Sequence, residues 1–272
     1  GGDHVAMLLA ADAWHGEQNI LAMDIGTNTE ISLLVNGKIF SCSCASGPAF
    51  EGAHIQAGMR AAAGAIERVQ IHDEQVIWQT IDGKPPIGIC GSGILEAVAA
   101  LKIAGAIDER GIFKKDSPLL KNRNGKNHFV LVPSTQSGTG EDIVITRNDI
   151  NQIQLAKAAI QAGVKILLLE AGISAYEIDK FIIAGAFGTY LDVKSSIEIG
   201  MFPDLQIEKF SQVGNAAGVG ACQMLLSKKK RNEGEVIAKA AHYIELTIHP
   251  EFSRIYLDAM YLRRGYPDSD LT

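Results

Sequence analysis

The sequence has few of the features that mark secreted, membrane-spanning or nucleic-acid-binding proteins. It holds only 4 cysteines in 272 residues, without a C-x-x-C pair or a ferredoxin-type spacing, which favours a reducing compartment over a disulfide framework. No apolar stretch approaches the roughly 20 residues that span a bilayer. The net charge is −6 with acidic and basic residues interspersed, so neither nucleic acid nor an anionic membrane is expected as a main partner. We therefore expect a cytoplasmic protein.

What is present points to a well-packed globular chain. Hydrophobic residues make up 47% of the sequence, enough to bury a substantial core without disulfide or metal staples. Cys42 and Cys44 alternate on a predicted strand, and this pattern fits two small packed side chains better than a redox or metal-binding pair. Gly1-Gly2-Asp3 lack the regions of a signal peptide, and the absence of an initiator methionine is typical of a fragment of a longer chain.

Apolar runs and turn residues predict the elements of the first half. Asn36-Gly37 lies between two apolar runs and indicates a β-hairpin. Residues 51–69 carry apolar side chains at spacings of three and four, which predicts an amphipathic helix. An apolar run at 87–90 then enters Gly91-Ser92-Gly93, and residues 94–104 resume a helical pattern. The other strands predicted in this half are residues 20–23, 31–35 and 39–40.

The second half repeats this order of elements. After strands predicted at 129–132 and 143–145, a helix is expected from Thr146, a residue type that caps helices, with Asp149 in its first turn. A buried-type strand at 181–184 then runs into the glycine turn Gly185-Ala186-Phe187-Gly188, as the earlier strand runs into its own glycine turn.

This repetition predicts a duplicated α/β fold with a cleft between two lobes, the first at residues 1–125 and the second at 126–272. Three helical or packed segments are expected to complete the second lobe, at 214–227, 235–249 and 252–262. The basic run Lys228-Lys229-Lys230-Arg231 is expected at the end of a helix, where cations favour the helix dipole and stay solvated.

The segment from Asp24 to Glu30 is the sharpest candidate for chemistry. Asp24 ends a strand, and such a carboxylate can hold a hydrated Mg²⁺, which prefers one or two carboxylates plus waters and phosphates. Gly26 allows the backbone to approach a ligand closely, and Thr27, Asn28 and Thr29 can present N–H groups and hydroxyls to phosphate oxygens. The alternative is an ordinary hairpin in which these residues only satisfy the turn.

Three further glycine turns follow strand-like segments, at residues 91–93, 185–188 and 214–218. In a two-lobed sheet protein, ligands bind at the carboxyl ends of strands, and helices that start there direct N–H groups at anions. Several such turns could converge on one nucleotide, although each glycine taken alone is more often a packing residue. The sequence contains neither a Walker A string nor a G-x-G-x-x-G that opens a βαβ unit.

These strings resemble the motifs of a known superfamily. Residues 24–30 look like the first phosphate motif of the acetate and sugar kinases, heat-shock chaperones and actin. Residues 181–188 resemble its adenosine motif, and residues 214–221 resemble the glycine-rich helix start that follows it. Four strings together resemble the reductive activators of corrinoid proteins more specifically: Ala45 to Gly52, Gly88 to Ile94, Asp149 to Lys157 and Ala184 to Tyr190.

The resemblance implies a two-lobed actin-like ATPase fold, with duplicated ribonuclease-H-like lobes and a nucleotide cleft between them. It implies an activator that uses ATP and Mg²⁺ to return an inactive cobalt(II) corrinoid to cobalt(I). The implied partner is a corrinoid protein or corrinoid methyltransferase component, and the implied assembly is a homodimer. Full-length members resemble a relay with an N-terminal iron–sulfur domain, whose cysteine pattern this sequence lacks. An iron–sulfur cluster is therefore expected only in a missing N-terminal domain.

The family's functional residues carry over to the matching positions of this sequence. Asp24 would bind Mg²⁺ and act in catalysis with Thr27. The implied nucleotide-binding residues are Gly26, Asn28, Thr29, Gly91, Ser92, Gly93, Gly185, Ala186, Phe187, Gly188, Gly214, Asn215 and Gly218. Second-rank candidates are Glu51, Glu141, Asp149 and Lys157, and residues 137–140 are the candidate for a second phosphate hairpin.

Two other functions fit the same residues. A small-molecule kinase would use the same nucleotide cleft but would need a base near the γ-phosphate, and no Asp or His stands in an obvious acceptor motif. A non-catalytic nucleotide-sensing module would bind the nucleotide without turnover.

Overall fold

The computed structural model describes residues 1–123 and 125–266, which form a mixed α/β structure around one large sheet. The strands are β1 (Ile20–Asp24), β2 (Thr29–Val35), β3 (Lys38–Cys44), β4 (Ala65–His72), β5 (Gln75–Thr80), β6 (Gly88–Ile89), β7 (Leu120–Arg123), β8 (Lys126–Val132), β9 (Ile143–Ile145), β10 (Lys180–Ala184), β11 (Phe210–Gly214) and β12 (Ala241–Tyr243). The α-helices are α1 (Gly2–Ala10), α2 (Gly91–Ile103), α3 (Arg147–Ala171), α4 (Ala186–Tyr190), α5 (Val193–Glu198), α6 (Ala216–Leu226), α7 (Lys228–Ala240) and α8 (Phe252–Ala259).

The large sheet has six strands in the order β11-β10-β1-β2-β3-β12. Strand β1 pairs antiparallel with β2 and parallel with β10, which in turn pairs parallel with β11. Because β1, β10 and β11 run in the same direction, their carboxyl ends meet at one edge of the sheet. Ligands of open α/β sheets bind at such an edge.

Both faces of this sheet are covered, which explains why the first four residues of β1, Ile20 to Met23, are all apolar. Leu21 and Met23 belong to the main core with residues of α3, whereas Ile20 and Ala22 pack with residues of α1, α6 and α7. The two smaller sheets, β5-β4-β6 and β7-β8-β9, lie between β3 and α3 in the chain. Among the described residues, no helix is both long and apolar enough to cross a bilayer.

Several local predictions are confirmed. The Asn36-Gly37 hairpin joins β2 to β3, with Asn36 and Gly37 both at positive φ. Thr146 caps α3 in a capping box, because its side chain accepts from the N–H of Asp149 while the Asp149 carboxylate accepts from the N–H of Thr146. Cys42 and Cys44 are buried and pack beneath Gly163 of α3. Their role is therefore packing, as predicted.

The helix predicted for residues 51–69 is wrong. Residues 48–51 form a short 3₁₀ turn, the chain then runs irregularly, and residues 65–72 form strand β4. Gly52 and Gly64 adopt φ values of 80° and 83°, and a Cβ added to Gly52 would overlap the carbonyl oxygen of Met59. The segment folds back on itself at these glycines, which a continuous helix could not do.

The two halves of the chain do not form separate sheets. Strand β1 from residues 1–125 pairs along its length with β10 from residues 126–272, and β12 adds to the far edge beside β3. Because residues 51–69 hold no helix, the predicted repeat of elements is incomplete in the first half, and strands of both halves mix in one sheet. Pairing between strands so far apart in sequence leaves no local pattern from which it could be read.

The basic run at residues 228–231 does not end a helix as predicted. Ser227 caps α7, so Lys228 is the first residue of a new helix. Two contacts offset the unfavourable dipole there: Lys230 pairs with Glu233 at 2.6 Å, and Arg231 donates to the carbonyl oxygen of Met224 near the end of α6. The cations of this run thus interact favourably with the dipole of α6, whose C-terminus they follow. They interact unfavourably with the dipole of α7, whose N-terminus they form.

Candidate functional site

The hairpin at Gly26, Thr27 and Asn28 lies at the carboxyl end of β1, and all three residues are exposed. The Ser46 side chain holds the hairpin in this conformation. The Ser46 hydroxyl bonds the Thr29 hydroxyl at 2.8 Å and donates to the carbonyl oxygen of Gly26 at 3.0 Å. Thr29 itself is fully buried. Its hydroxyl therefore supports the hairpin rather than facing a ligand, which corrects the predicted ligand contact for this residue.

Asp24 lies beside Gly185, at the start of the neighbouring glycine turn. Gly185 has φ 94° and ψ 155°, and a Cβ added there would lie 2.8 Å from Asp24 Oδ1 and 2.6 Å from the carbonyl oxygen of Ile25. Burial, reinforced by Asp3, raises the pKa of the Asp24 carboxyl. Gly185 thus lets the turn approach a desolvated carboxylate more closely than a residue with a side chain could, and a bound cation would offset the cost of ionising that carboxylate.

The third turn, at Gly214 and Asn215, joins the same edge. The Gly185 N–H donates to the carbonyl oxygen of Gly214 at 3.1 Å, and the Asn215 side chain accepts from the N–H of Gly218 at 2.9 Å to cap α6. A shallow cavity of about 530 Å³ continues from Asn215 along α6 to Val219, Cys222 and Leu226. The predicted phosphate and adenosine turns therefore lie next to each other.

Two contacts connect these turns to the Ala45–Gly52 segment. The Phe50 and Phe187 rings stack with centroids 4.7 Å apart and an interplanar angle of 13°. The Thr27 hydroxyl donates to Glu51 Oε1. The Phe50 contact was not anticipated, because nothing in the local sequence pairs Phe50 with Phe187.

Helix α1 contributes a group that sequence analysis missed entirely. Asp3 in its first turn raises the pKa values of both Asp24 and Glu30, second to burial. His4 is buried and bonds the Ser32 hydroxyl at 2.7 Å, and burial lowers its pKa to about 4.

Within residues 1–123 and 125–266, no cluster of three or more His, Cys, Asp or Glu side chains could hold a metal. A lone Asp24 carboxylate suits Mg²⁺, whose other ligands are typically water and phosphate.

Residues 18–268 match the family described as the C-terminal domain of RACo, the ASKHA domain. The chain belongs to this family. The match confirms the predicted fold class, the acetate and sugar kinase, heat-shock chaperone and actin class, with mixed α/β content. It also confirms the suspected resemblance to corrinoid activators.

Relatives with assigned functions are considerably longer than this chain. It is 37% identical over 266 residues to the corrinoid activation enzyme RamQ of Eubacterium limosum, covering 94% of this chain and 44% of that protein. It is 28% identical over 292 residues to a Co(II) methylated amine-specific corrinoid protein reductase of Methanosarcina barkeri, covering 98% and 50%. A solved reductive activator for corrinoid, iron–sulfur protein superposes with TM-score 0.88 and 41% identity, covering 97% of this chain and 43% of that one. The chain thus spans about half the length of these family members.

Gly91, Ser92 and Gly93 are buried at the start of α2, against the Phe50 segment. A Cβ added to Gly91 would overlap the carbonyl oxygen of Phe50, and one added to Gly93 would overlap that of Ile66. Gly188 is likewise buried, against Ile183. The structure gives these residues a packing role, and their nucleotide contacts stay a prediction.

Replacing Gly91 tests this packing role. Gly91→Ala is expected to lower the free energy of unfolding by about 3 kcal/mol, because the new methyl group must displace the Phe50 backbone. Gly2→Ala is the matched control, since no atom lies within 4 Å of its added Cβ, and its effect should stay within about 0.5 kcal/mol. Urea denaturation measures both. An unchanged stability in Gly91→Ala would contradict the packing role.

Among the second-rank candidates, Glu51 contacts the hairpin at residues 26–28 through the Thr27 hydroxyl. Glu141, Asp149 and Lys157 lie elsewhere. The loop at residues 137–140 is attached to the β4–β6 region, where the Gly138 N–H donates to the carbonyl oxygen of Pro86 at 2.8 Å, and Glu141 follows it on the surface. Asp149 is fully buried and accepts from the backbone N–H of Gln56 at 2.8 Å. These contacts serve the fold, and no described hydrogen bond connects them to the hairpin at residues 26–28.

Lys157 is also structural. It is fully buried in α3, and its ammonium group donates to the carbonyl oxygen of Tyr261 at 2.6 Å and to the Gln161 side chain at 2.9 Å. Burial, reinforced by Lys165, lowers its pKa well below 10.5. The side chain thus fastens the C-terminal segment to α3 at the expense of a desolvated charge.

This burial has a pH-dependent consequence. The unfolded chain retains a lysine pKa near 10.5 and binds a proton that the folded chain binds less well, so the stability of the wild type should rise as the pH rises toward 10.5. Lys157→Met should lose that rise. Melting temperatures of both proteins between pH 7 and 10 measure it, with the exposed Lys194→Met as control. Parallel curves for the wild type and Lys157→Met would contradict the assignment.

Proposed function

We propose that this chain is the ATP- and Mg²⁺-binding part of an activator that uses ATP hydrolysis to drive the reduction of an inactive cobalt(II) corrinoid protein to cobalt(I). The observation that carries the proposal is the close approach of the Gly185 turn to the Asp24 carboxylate, next to an exposed Gly-Thr-Asn hairpin. The relatives that are named as corrinoid activators or corrinoid protein reductases supply the partner class.

The residues at the edge of the sheet have distinct roles in this proposal. Asp24 would hold Mg²⁺ and orient the attacking water, while the N–H groups of residues 26–28 and the Thr27 hydroxyl would donate to phosphate oxygens. Bound Mg²⁺ neutralises the charge of the phosphates. Glu51 holds the Thr27 hydroxyl in place. This division of work suits phosphoryl transfer, which depends chiefly on positioning and charge neutralisation.

The nucleoside would lie along the neighbouring turns. Asn215 and Gly218 line the shallow cavity on α6. Gly185, Ala186, Phe187 and Gly214 lie in the adjoining turns and are half-buried or exposed, as a binding surface requires. The stacked pair of Phe50 and Phe187 connects this surface to the hairpin segment. A nucleotide that contacted both this surface and the hairpin would therefore also affect the Ala45–Gly52 segment.

Electrons for the corrinoid would come from outside this chain. Cys42, Cys44 and Cys90 are buried, and Cys222 is exposed. These four scattered thiols offer no cluster-binding set. We propose that an iron–sulfur cluster elsewhere in the longer protein supplies the electrons, and that the active assembly is a homodimer.

Two measurements test the proposal. Calorimetry of the chain with ATP and Mg²⁺ should show saturable binding. In the full-length protein, ADP release should need no metabolite, should be stimulated by the cobalt(II) corrinoid protein, and should accompany the optical change of cobalt(II) to cobalt(I). Phosphate transferred to a small metabolite would identify a kinase instead, and binding without turnover would identify a nucleotide-sensing module.

A further inference from the structure

A second cavity lies beyond the hairpin, at the start of α3. It has a volume of about 1130 Å³ and is lined by side chains from four regions that are distant in sequence: Gln56, Phe113, Lys115, His128, Arg147 and Asn148. The backbone N–H of Gln56 donates to the Asp149 carboxylate in the first turn of α3 and so joins two of these regions. None of the predicted nucleotide-binding residues lines it.

The charge of this cavity has one sign. Lys115, His128 and Arg147 are the titratable side chains in its lining, and no aspartate or glutamate belongs to it. Within the described part of the chain, none of these three has a carboxylate within ion-pair distance. Gln56 and Asn148 add amide groups that can donate, while Phe113 adds an apolar wall.

Two hydrogen bonds hold the Arg147 side chain, and no carboxylate among the described residues lies within ion-pair distance of it. Its guanidinium donates to the Gln154 side chain and to the carbonyl oxygen of Arg110, both at 2.9 Å and both neutral. The nearest acidic influence is Asp108, whose carboxylate accepts from the backbone N–H groups of Arg110 and Ile112. Burial lowers the pKa of Arg147, as expected for a partly desolvated cation. An anion from outside the chain would offset this desolvation.

We propose that this cavity binds a small organic anion, whose carboxylate or phosphate group contacts Arg147 and Lys115 while its apolar part packs on Phe113. Arg147 in the first turn of α3 and Lys115 from another region of the chain bring two cationic side chains to the same cavity. The proposal does not depend on nucleotide binding.

Backbone amide NMR of the isotope-labelled chain, titrated with citrate or inorganic phosphate at constant ionic strength, tests the site. Saturable shifts of the Asn148 and His128 signals are expected. Lys115→Met should weaken the binding about three- to tenfold, because one charge-assisted contact is lost. Lys114→Met is the matched control: it removes the same charge one residue away from an exposed position outside the lining, and should bind like the wild type.

The outcomes separate this site from the nucleotide site. Shifts with citrate alone would assign a carboxylate ligand, and shifts with phosphate would assign a phosphate-bearing one. Shifts confined to residues 26–28 would overturn the proposal, as would equal binding by Lys115→Met and the wild type. Arg147→Met, checked by its amide spectrum for an intact fold, should abolish the Asn148 shifts, and retained shifts in that variant would also overturn the proposal.

Discussion

Asp24→Ala is expected to lower the rate of ATP hydrolysis by the full-length protein by roughly two to three orders of magnitude, the range seen when one preorganised electrostatic contact to a transition state is removed. The reason is geometric. Asp24 ends β1 against the Gly185 turn and directly before the exposed hairpin at residues 26–28, so its carboxylate lies where a Mg²⁺ ion bound to phosphates on that hairpin would be held. Single-turnover ADP release measures the loss. A variant that turned over at the wild-type rate would remove Asp24 from the mechanism.

The fold should tolerate the loss of this carboxylate, and Asp24→Asn should show it. Because burial and Asp3 raise the pKa of Asp24, ionisation is less favourable in the folded chain than in the unfolded one. The wild type therefore loses stability as the pH rises through the folded pKa, and the amide variant does not. At pH 7 its melting temperature should exceed that of the wild type by about 2 °C, and the difference should vanish below pH 4. A lower melting temperature at pH 7 would show that the carboxylate stabilises the fold.

Gly185→Ala is expected to lower the free energy of unfolding by about 3 kcal/mol. Two effects combine at this position. The backbone adopts φ 94° and ψ 155°, which only glycine adopts readily, and the new Cβ would approach the carbonyl oxygen of Ile25 to 2.6 Å. The same methyl group would fill the space beside Asp24 Oδ1, so nucleotide affinity should fall as well. Urea denaturation and ATP calorimetry measure the two losses.

Gly172→Ala separates the two effects. Gly172 ends α3 at φ 68°, also in the left-handed region, but no atom lies within 4 Å of its added Cβ. This variant should lose only about 1 kcal/mol, the conformational part, and should bind ATP normally. Equal losses in the two variants would mean that crowding beside Asp24 contributes nothing.

Local features of the fold could be predicted because short-range physics decides them. Asn-Gly specifies a tight hairpin whatever surrounds it, and a threonine followed three residues later by an aspartate starts a helix through its own hydrogen bonds. The same reasoning failed at residues 51–69. The apolar spacing there was helical, but Gly52 and Gly64 bend the chain so that Ile66 and Val69 reach the core from a strand.

The candidate site was predictable in part. The end of β1 at Asp24 and the turn that follows it could be predicted from residue types, whereas their binding of Mg²⁺ and phosphate stays a prediction. The burial of Gly91 and Gly93 could not, because a glycine that admits a ligand and one that admits another backbone look alike in sequence. The influence of Asp3 on Asp24 depends on the docking of α1, which no local signal specifies.

The pairing of β1 with β10 also constrains how this protein is made. At about 5–20 residues per second, the ribosome would need roughly 8–30 seconds to translate the 160 residues that separate β1 from its partner β10. During that interval the nascent chain holds a strand with four apolar residues in a row and one unpaired edge. We expect the nascent chain to depend on chaperones until residues 180–184 emerge. The proposed nucleotide site would form only near the end of translation.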